Sequence, residues 1–151
     1  MKLDLYFEAP MMSWRGAEIG KTENVPPKST IVAMIGTAMG IDHEDTAELN
    51  EVADSFEIDD TFTFKNNDFF KEPQKLPIIT FKRMVEDQIN SRTGVKIQKE
   101  YLEDAKIGVT IKGTKEALTK IREAFLHPFF PVYLGSPCCI PSGRIIRGNI
   151  Y

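Results

Sequence analysis

The chain is poor in the residues that most often carry chemistry: its 151 residues include two cysteines, two histidines and one tryptophan. Cys138 and Cys139 are adjacent, so a bridge between them would close a strained ring, and two thiols without a second ligand pair make a poor zinc site. Buried, reduced thiols are expected. His43 and His127 stand far apart, and no Cys-His or Ser-His-Asp spacing joins either to a nucleophile. His127 precedes Pro128 at a predicted helix end, where a cation interacts favourably with the last carbonyls, so a capping role is expected. No run approaches the ~20 apolar residues of a membrane span, and "MKLDLYFEAP" lacks the charged-then-apolar layout of a signal peptide. A cytoplasmic location is expected, and nothing in the pattern asks for a cofactor or a metal.

A positive surplus is also missing, the formal net charge being −3. The signs are unevenly placed. Residues 1–64 hold 4 Lys and Arg against 13 Asp and Glu, residues 65–99 hold 8 against 4, and residues 100–151 hold 7 against 5. Asp42, Glu44, Asp45, Glu48, Glu51, Asp54, Glu57, Asp59 and Asp60 run without an intervening cation. Such a block is a solvated face that repels a nucleic-acid backbone and can attract a basic protein partner.

What is present suits one domain with a hydrophobic core, since 42% of residues are apolar. Leu3, Leu5 and Phe7 alternate with Asp4, Tyr6 and Glu8, the period of a strand with one face on a core. A long loop punctuated by Pro10, Gly16, Gly20, Pro26 and Pro27 follows, of the kind that is functional or mobile in compact domains. Ser29 is placed to cap a helix over Thr30–Met39 ending at Gly40, whose small residues suggest close helix–sheet approach. A short acidic helix buries Ala47, Leu49, Val52 and Ala53, and Phe56, Ile58, Phe62 and Phe64 return to strand period. Residues 66–99 mix Lys and Arg with Phe and carry a possible hairpin around Thr93-Gly94, an excursion that leaves the core and returns. Ala105, Ile107, Val109 and Ile111 mark another strand, Thr114 caps a helix with Leu118, Ile121 and Phe125 inward, and "RIIRGNIY" supplies a last strand. The order matches a split βαβ, ferredoxin-like plan: α+β, an antiparallel sheet with helices on one face.

Three stretches fit together beyond this. "APMMSWRGAEIGKTENVPPKSTIVAMIGTAMGIDHED" resembles a family pattern of glycine-proline, Ser-Trp, a gap, then Pro-x-Lys-Ser before "GLLGAALGIxRxD". "KEYLEDAKIGVTI" resembles "REYLxDAxFxVAL", and "HPFFPVYLGSPCC" resembles "xPxxPxYLGRxSC". Together they identify a resemblance to the type I-E CasD family (Cas-five subunits) of the RAMP superfamily of CRISPR proteins, over most of the chain. The resemblance implies a single RAMP-like domain over 1–151 that binds the 5′ handle of CRISPR RNA (crRNA) within Cascade. It implies a binder rather than an enzyme, with residues 66–99 as a basic thumb-like insertion contacting neighbouring backbone and large subunits.

RNA recognition of this kind relies on phosphates, splayed bases and 2′-hydroxyls. Lys28 and Ser29 at a helix N-terminus suit an anion, Trp14 with Arg15 suits a stacking and phosphate pair, and Lys82, Arg83, Arg92 and Lys96 lie in the one basic segment. Trp14, Phe69, Phe70 and Tyr133 are the candidate partner contacts. Plain alternatives stand beside these: Ser29 as a helix cap, Trp14 as a core or subunit-interface anchor, Tyr101 and Tyr133 as core residues, Lys82 and Arg83 as a solvated face.

The chain departs from the pattern at cations. Ser136 follows Tyr133-Leu134-Gly135 where the family has Arg, and His43 stands where "GIxRxD" has Arg, removing strong phosphate donors. The sequence also stops at Tyr151, short of typical members. These departures support a second reading, a virus-encoded anti-CRISPR decoy that keeps subunit-facing surfaces and blocks Cascade. A metal-independent ribonuclease would need a general base and an electrophilic cation, and no Tyr-Lys-His set can be placed.

Overall fold

The computed structural model describes residues 1–67, 72–89 and 96–151. Among these residues five strands and three helices follow in the order β1 (Lys2–Met12), α1 (Lys28–Met39), α2 (Thr46–Asp54), β2 (Phe56–Lys65), β3 (Gln74–Leu76), β4 (Lys82–Ile89), β5 (Lys96–Gly113) and α3 (Lys115–Leu126). Every strand pairing is antiparallel. The sheet runs β1-β5-β2-β3, with β4 on the first half of β5. Among the described residues no helix is long and apolar enough to cross a membrane.

Periodicity explains the helices. Ile31, Met34, Ile35 and Ala38 recur on one side of α1, and Leu118, Ile121, Ala124 and Phe125 on one side of α3. They bury against Leu3, Leu5 and Phe7 of β1 and Ile107, Val109 and Ile111 of β5. Each of the Ile, Leu, Val, Met and Phe side chains among them contributes roughly 1.5–3 kcal/mol by leaving water. Thr114 Oγ1 accepts from the Ala117 amide at 3.2 Å, as expected of a cap, and His127 ends α3.

Several expectations are corrected. Pro27, not Ser29, is the N-cap of α1, and no side-chain cap bond forms there. The small-residue surface of α1 serves helix–helix rather than helix–sheet contact, because a Cβ on Gly36 would come within 2.6 Å of Leu49 of α2. Within α2, Val52 is buried but Ala47 is exposed. Cys139 is buried, whereas Cys138 is exposed.

"RIIRGNIY" forms no regular strand. It nevertheless takes the place a last strand would occupy. The Ser142 amide donates to the Glu8 carbonyl at 2.7 Å, the Tyr6 amide to the Ile145 carbonyl at 2.8 Å, and Lys2 and Tyr151 exchange bonds at 2.6 and 2.9 Å. The segment therefore runs antiparallel to β1 along its open edge, satisfying groups that would otherwise invite another strand.

β2 differs from its sequence reading for a definite reason. Ile58 pairs with Ile111 but Asp60 pairs with Thr110, so one residue is extra. A one-residue bulge reverses which face each later side chain meets. Phe56 stays in the main core, while Phe62 and Phe64 pack on the opposite face with Tyr6.

Candidate nucleic-acid interface

The second half of β5 lies between β1 and β2 in the core sheet, and its first half leaves with β4 as a two-stranded arm. Asp104 marks the departure with φ 47, the left-handed region that side chains avoid. On the arm and its approach, Ile79, Phe81 and Met84 are exposed, Phe81 by 69%. The pairing of Ile89 with Lys96 brackets the expected turn around Thr93-Gly94, which itself lies outside the described residues.

The cations at the arm's base are not free. Lys82 Nζ lies 3.8 Å from Glu100, which also draws Lys21 at 4.0 Å, and Arg83 lies 3.7 Å from Glu103. Glu100 Oε1 further accepts the Thr22 amide at 3.1 Å, and the Glu100 amide donates to the Gly20 carbonyl at 2.7 Å. The long loop after β1 is thereby strapped to the arm. Its own turn is closed by the Trp14 amide on Thr22 Oγ1 at 2.8 Å and the Glu23 amide on the Trp14 carbonyl at 2.8 Å.

The "PVYLGSPCCIPSGRI" loop meets this base at Ser13, whose amide donates to the Leu134 carbonyl at 3.1 Å. Gly135 has φ 93 and sits so close to Ser13 that any Cβ would overlap the Ser13 carbonyl. Only glycine meets both demands. Between this loop and α1 lies a groove of about 390 Å³ that brings Ser29 and Tyr133 together, with Ala33 and Met34 in its wall.

The face of the sheet away from the helices is covered by the chain itself. Arg147 lies over the rings of Tyr6 and Phe64, at 5.6 and 5.0 Å, and Lys75 over those of Phe62 and Tyr151, at 4.9 and 5.7 Å. Arg147 also pairs with Glu8 at 2.8 Å, and Lys75 with the buried Asp4 at 2.9 Å. Asp4 further accepts from Thr110 at 2.6 Å and Tyr151 at 3.0 Å. Burial pushes the Glu8 carboxyl up, but hydrogen bonds from Arg147 and Asn66 prevail and hold it below its ordinary range. Burial disfavours charge on Lys75 too, yet its bonds to Asp4 and Tyr151 raise its pKa. Burial, with Asp4 nearby, pushes the Tyr6 phenol up to about 12, and its hydroxyl finds no hydrogen-bond partner among the described residues. The aromatic faces on which bases could stack are thus occupied by internal cations.

The predicted site residues scatter accordingly. Trp14 is fully buried, edge-on to Phe7 at 5.7 Å, so it is a core anchor; neither base stacking nor a subunit contact is open to it. Lys28 is turned inward, donating to the Phe56 carbonyl at 2.8 Å and to Glu57 at 3.2 Å, and so ties α1 to β2. Arg15 and Ser29 are exposed, and Tyr133 is 42% exposed rather than a core residue. Tyr101 is in the core, as its alternative reading had it, with Cys138 Sγ 3.8 Å from its hydroxyl. Lys96 lies on β5 in the arm. Phe69, Phe70 and Arg92 lie outside the described residues. Sequence reasoning missed Glu100 and Glu103, although aligning the two strands of the arm would have set them near Lys82 and Arg83. It also missed Arg147, whose aromatic partners come together only through the bulge.

The family model for CRISPR-associated protein (Cas_Cas5) matches residues 3–148. Among solved structures, a Cas protein is 22% identical with TM-score 0.62, the match covering 95% of this chain and 61% of that one. A chain of a CRISPR RNA-guided surveillance complex is 19% identical with TM-score 0.65, covering 100% of this chain and 64% of that one. The chain therefore spans about three-fifths of the length of these relatives, and the likeness shows a shared fold. No curated protein sequence matches. With the family model matched from the first core residue of β1 to the segment that closes its edge, the chain belongs to the CRISPR-associated Cas_Cas5 family.

Proposed function

We propose that the chain acts in the cytoplasm as a non-catalytic RNA-holding subunit of a Cascade-type complex, gripping the 5′ handle of crRNA and touching the backbone and large subunits. Residues 1–151 form one RAMP-like domain on this reading, with 66–99 as its thumb. The observation that carries it is the β4–β5 arm, with Lys82, Arg83 and Met84 exposed at its base, in a chain of this family. With the aromatic sheet face self-occupied, Arg15 and the exposed cations of the arm are surfaces open to RNA on this reading. A non-catalytic role is supported by the histidines: His43 is exposed beside Asp42 at 3.7 Å, and His127 closes α3.

Filter binding of handle-bearing crRNA across a salt series tests this reading. Affinity should fall with salt at about 0.7 log units per log unit for each phosphate contacted. Salt-independent or absent binding would overturn it.

One observation favours the second reading, a virus-encoded decoy. Lys28, Lys82 and Arg83 already face carboxylates of their own chain, which weakens them as phosphate donors. On that reading the chain captures a backbone or large subunit without RNA, and interference is lost when it is co-expressed.

A further inference from the structure

The helical side of the molecule carries a surface unrelated to the arm. Phe129 and Phe130 are 71% and 50% exposed, and their rings meet edge-on at 4.8 Å. They are not loose. The Phe129 amide donates to the Ala38 carbonyl at 2.8 Å, and the Phe129 ring lies over Gly40, where a Cβ would come within 2.7 Å of it. Phe129 is thus held at the C-terminal end of α1, and the Phe130 ring packs edge-on against it. Thr37, whose carbonyl accepts the Phe130 amide at 3.4 Å, also lines the groove holding Ala33, Met34 and Tyr133. Ridge and groove thus adjoin through Thr37, the groove's apolar wall being Ala33, Met34, Val132 and Tyr133.

Beside it stands uncompensated charge. Beyond Gly40 come the turn before α2 and α2 itself, where Glu44 in the turn and Glu48, Glu51 and Asp54 on the helix are exposed. Among the described residues none of these four has an ion-pair partner, and residues 29–64 contain no Lys or Arg. Such a border repels phosphate and attracts cations. Rigid aromatic anchors beside a groove favour association because little side-chain freedom remains to be lost.

The geometry points to a protein-docking face here: an amphipathic helix with an apolar stripe and Lys- or Arg-rich flanks lies along the α1 groove against Phe129 and Phe130, its cations facing α2. Helix-in-groove recognition supplies the pattern. The face is separate from the arm and does not need RNA.

A synthetic helix with Leu at i, i+3, i+4 and i+7 and Lys elsewhere, followed by fluorescence anisotropy, tests this. It should bind at least about tenfold more tightly than a scrambled peptide of the same composition, and Phe130→Ser and the pair Glu44→Lys with Glu51→Lys should each weaken it about tenfold. Circular dichroism confirms that each variant is folded, and the charge-reversal pair, at exposed positions, keeps the test open if Phe130→Ser unfolds. Equal binding of the scrambled peptide, or loss on charge reversal with none in a folded Phe130→Ser, would overturn the proposal. So would self-association abolished by Phe130→Ser, or weakened crRNA binding in that variant, since the face would then belong to a second copy or to RNA.

Discussion

Gly108 of β5 lies directly opposite Phe62 of β2, and a Cβ at Gly108 would overlap the Phe62 ring. The pairing exists because the bulge before Asp60 turns Phe62 away from the main core. Gly108→Ala should therefore destabilise the fold by roughly 1–3 kcal/mol, the usual cost of overpacking, as measured by urea unfolding.

Tyr6 supplies a second test from the same face. Its folded pKa is raised to about 12, so the folded state holds this proton more tightly than the unfolded chain. That contribution is complete below the ordinary tyrosine pKa of about 10 and is lost as pH rises toward about 12. Stability should fall through that window, and Tyr6→Phe should remove the tyrosine's part of the fall. Because the buried hydroxyl lacks a partner among the described residues, Tyr6→Phe should cost nothing at neutral pH and add up to about 1 kcal/mol.

Glu8 behaves in the opposite sense. Its pKa is lowered by Arg147 and Asn66 against the effect of burial, so its contribution is present above the ordinary carboxylate pKa of about 4.3 and is lost as pH falls through its lower folded value. Arg147→Met should lower neutral-pH stability by roughly 1–3 kcal/mol and flatten the acid limb of the stability profile in thermal melts.

How far the sequence carried this architecture follows from where its signals are local. Alternation of Leu3, Leu5 and Phe7 and the helical spacing of Leu118, Ile121 and Phe125 need only a neighbouring core, and they hold. Phe62 and Phe64 deceived because one inserted residue changes the face without changing the pattern. Asp4 and Tyr6 looked like the wet side of β1 and are buried, because a segment from the far end of the chain covers them. The site was read less well for a related reason. A list of cations is local, whereas their neutralisation by Glu100 and Glu103 depends on strand register.

Asp104 gives a backbone test of the arm's departure from the sheet. At φ 47, a β-branched side chain is strained, so Asp104→Val should lose roughly 1–2 kcal/mol of stability while Asp104→Gly is tolerated, as unfolding midpoints will report.

Neutralising Glu100 tests the electrostatics at the arm's base. Glu100→Gln releases Lys82 and Lys21 from their ion pairs. On the handle-binding account it should tighten crRNA binding and steepen the single-strand salt slope by about 0.7 for each phosphate newly contacted.

The most direct measurement is amide hydrogen exchange with and without handle-bearing crRNA. RNA gripped by the arm predicts slowed exchange in Lys82–Val85 and Lys99–Glu103, with the acidic helix Thr46–Asp54 unchanged. Protection confined to that helix, or no RNA-dependent change along the arm, would contradict the account.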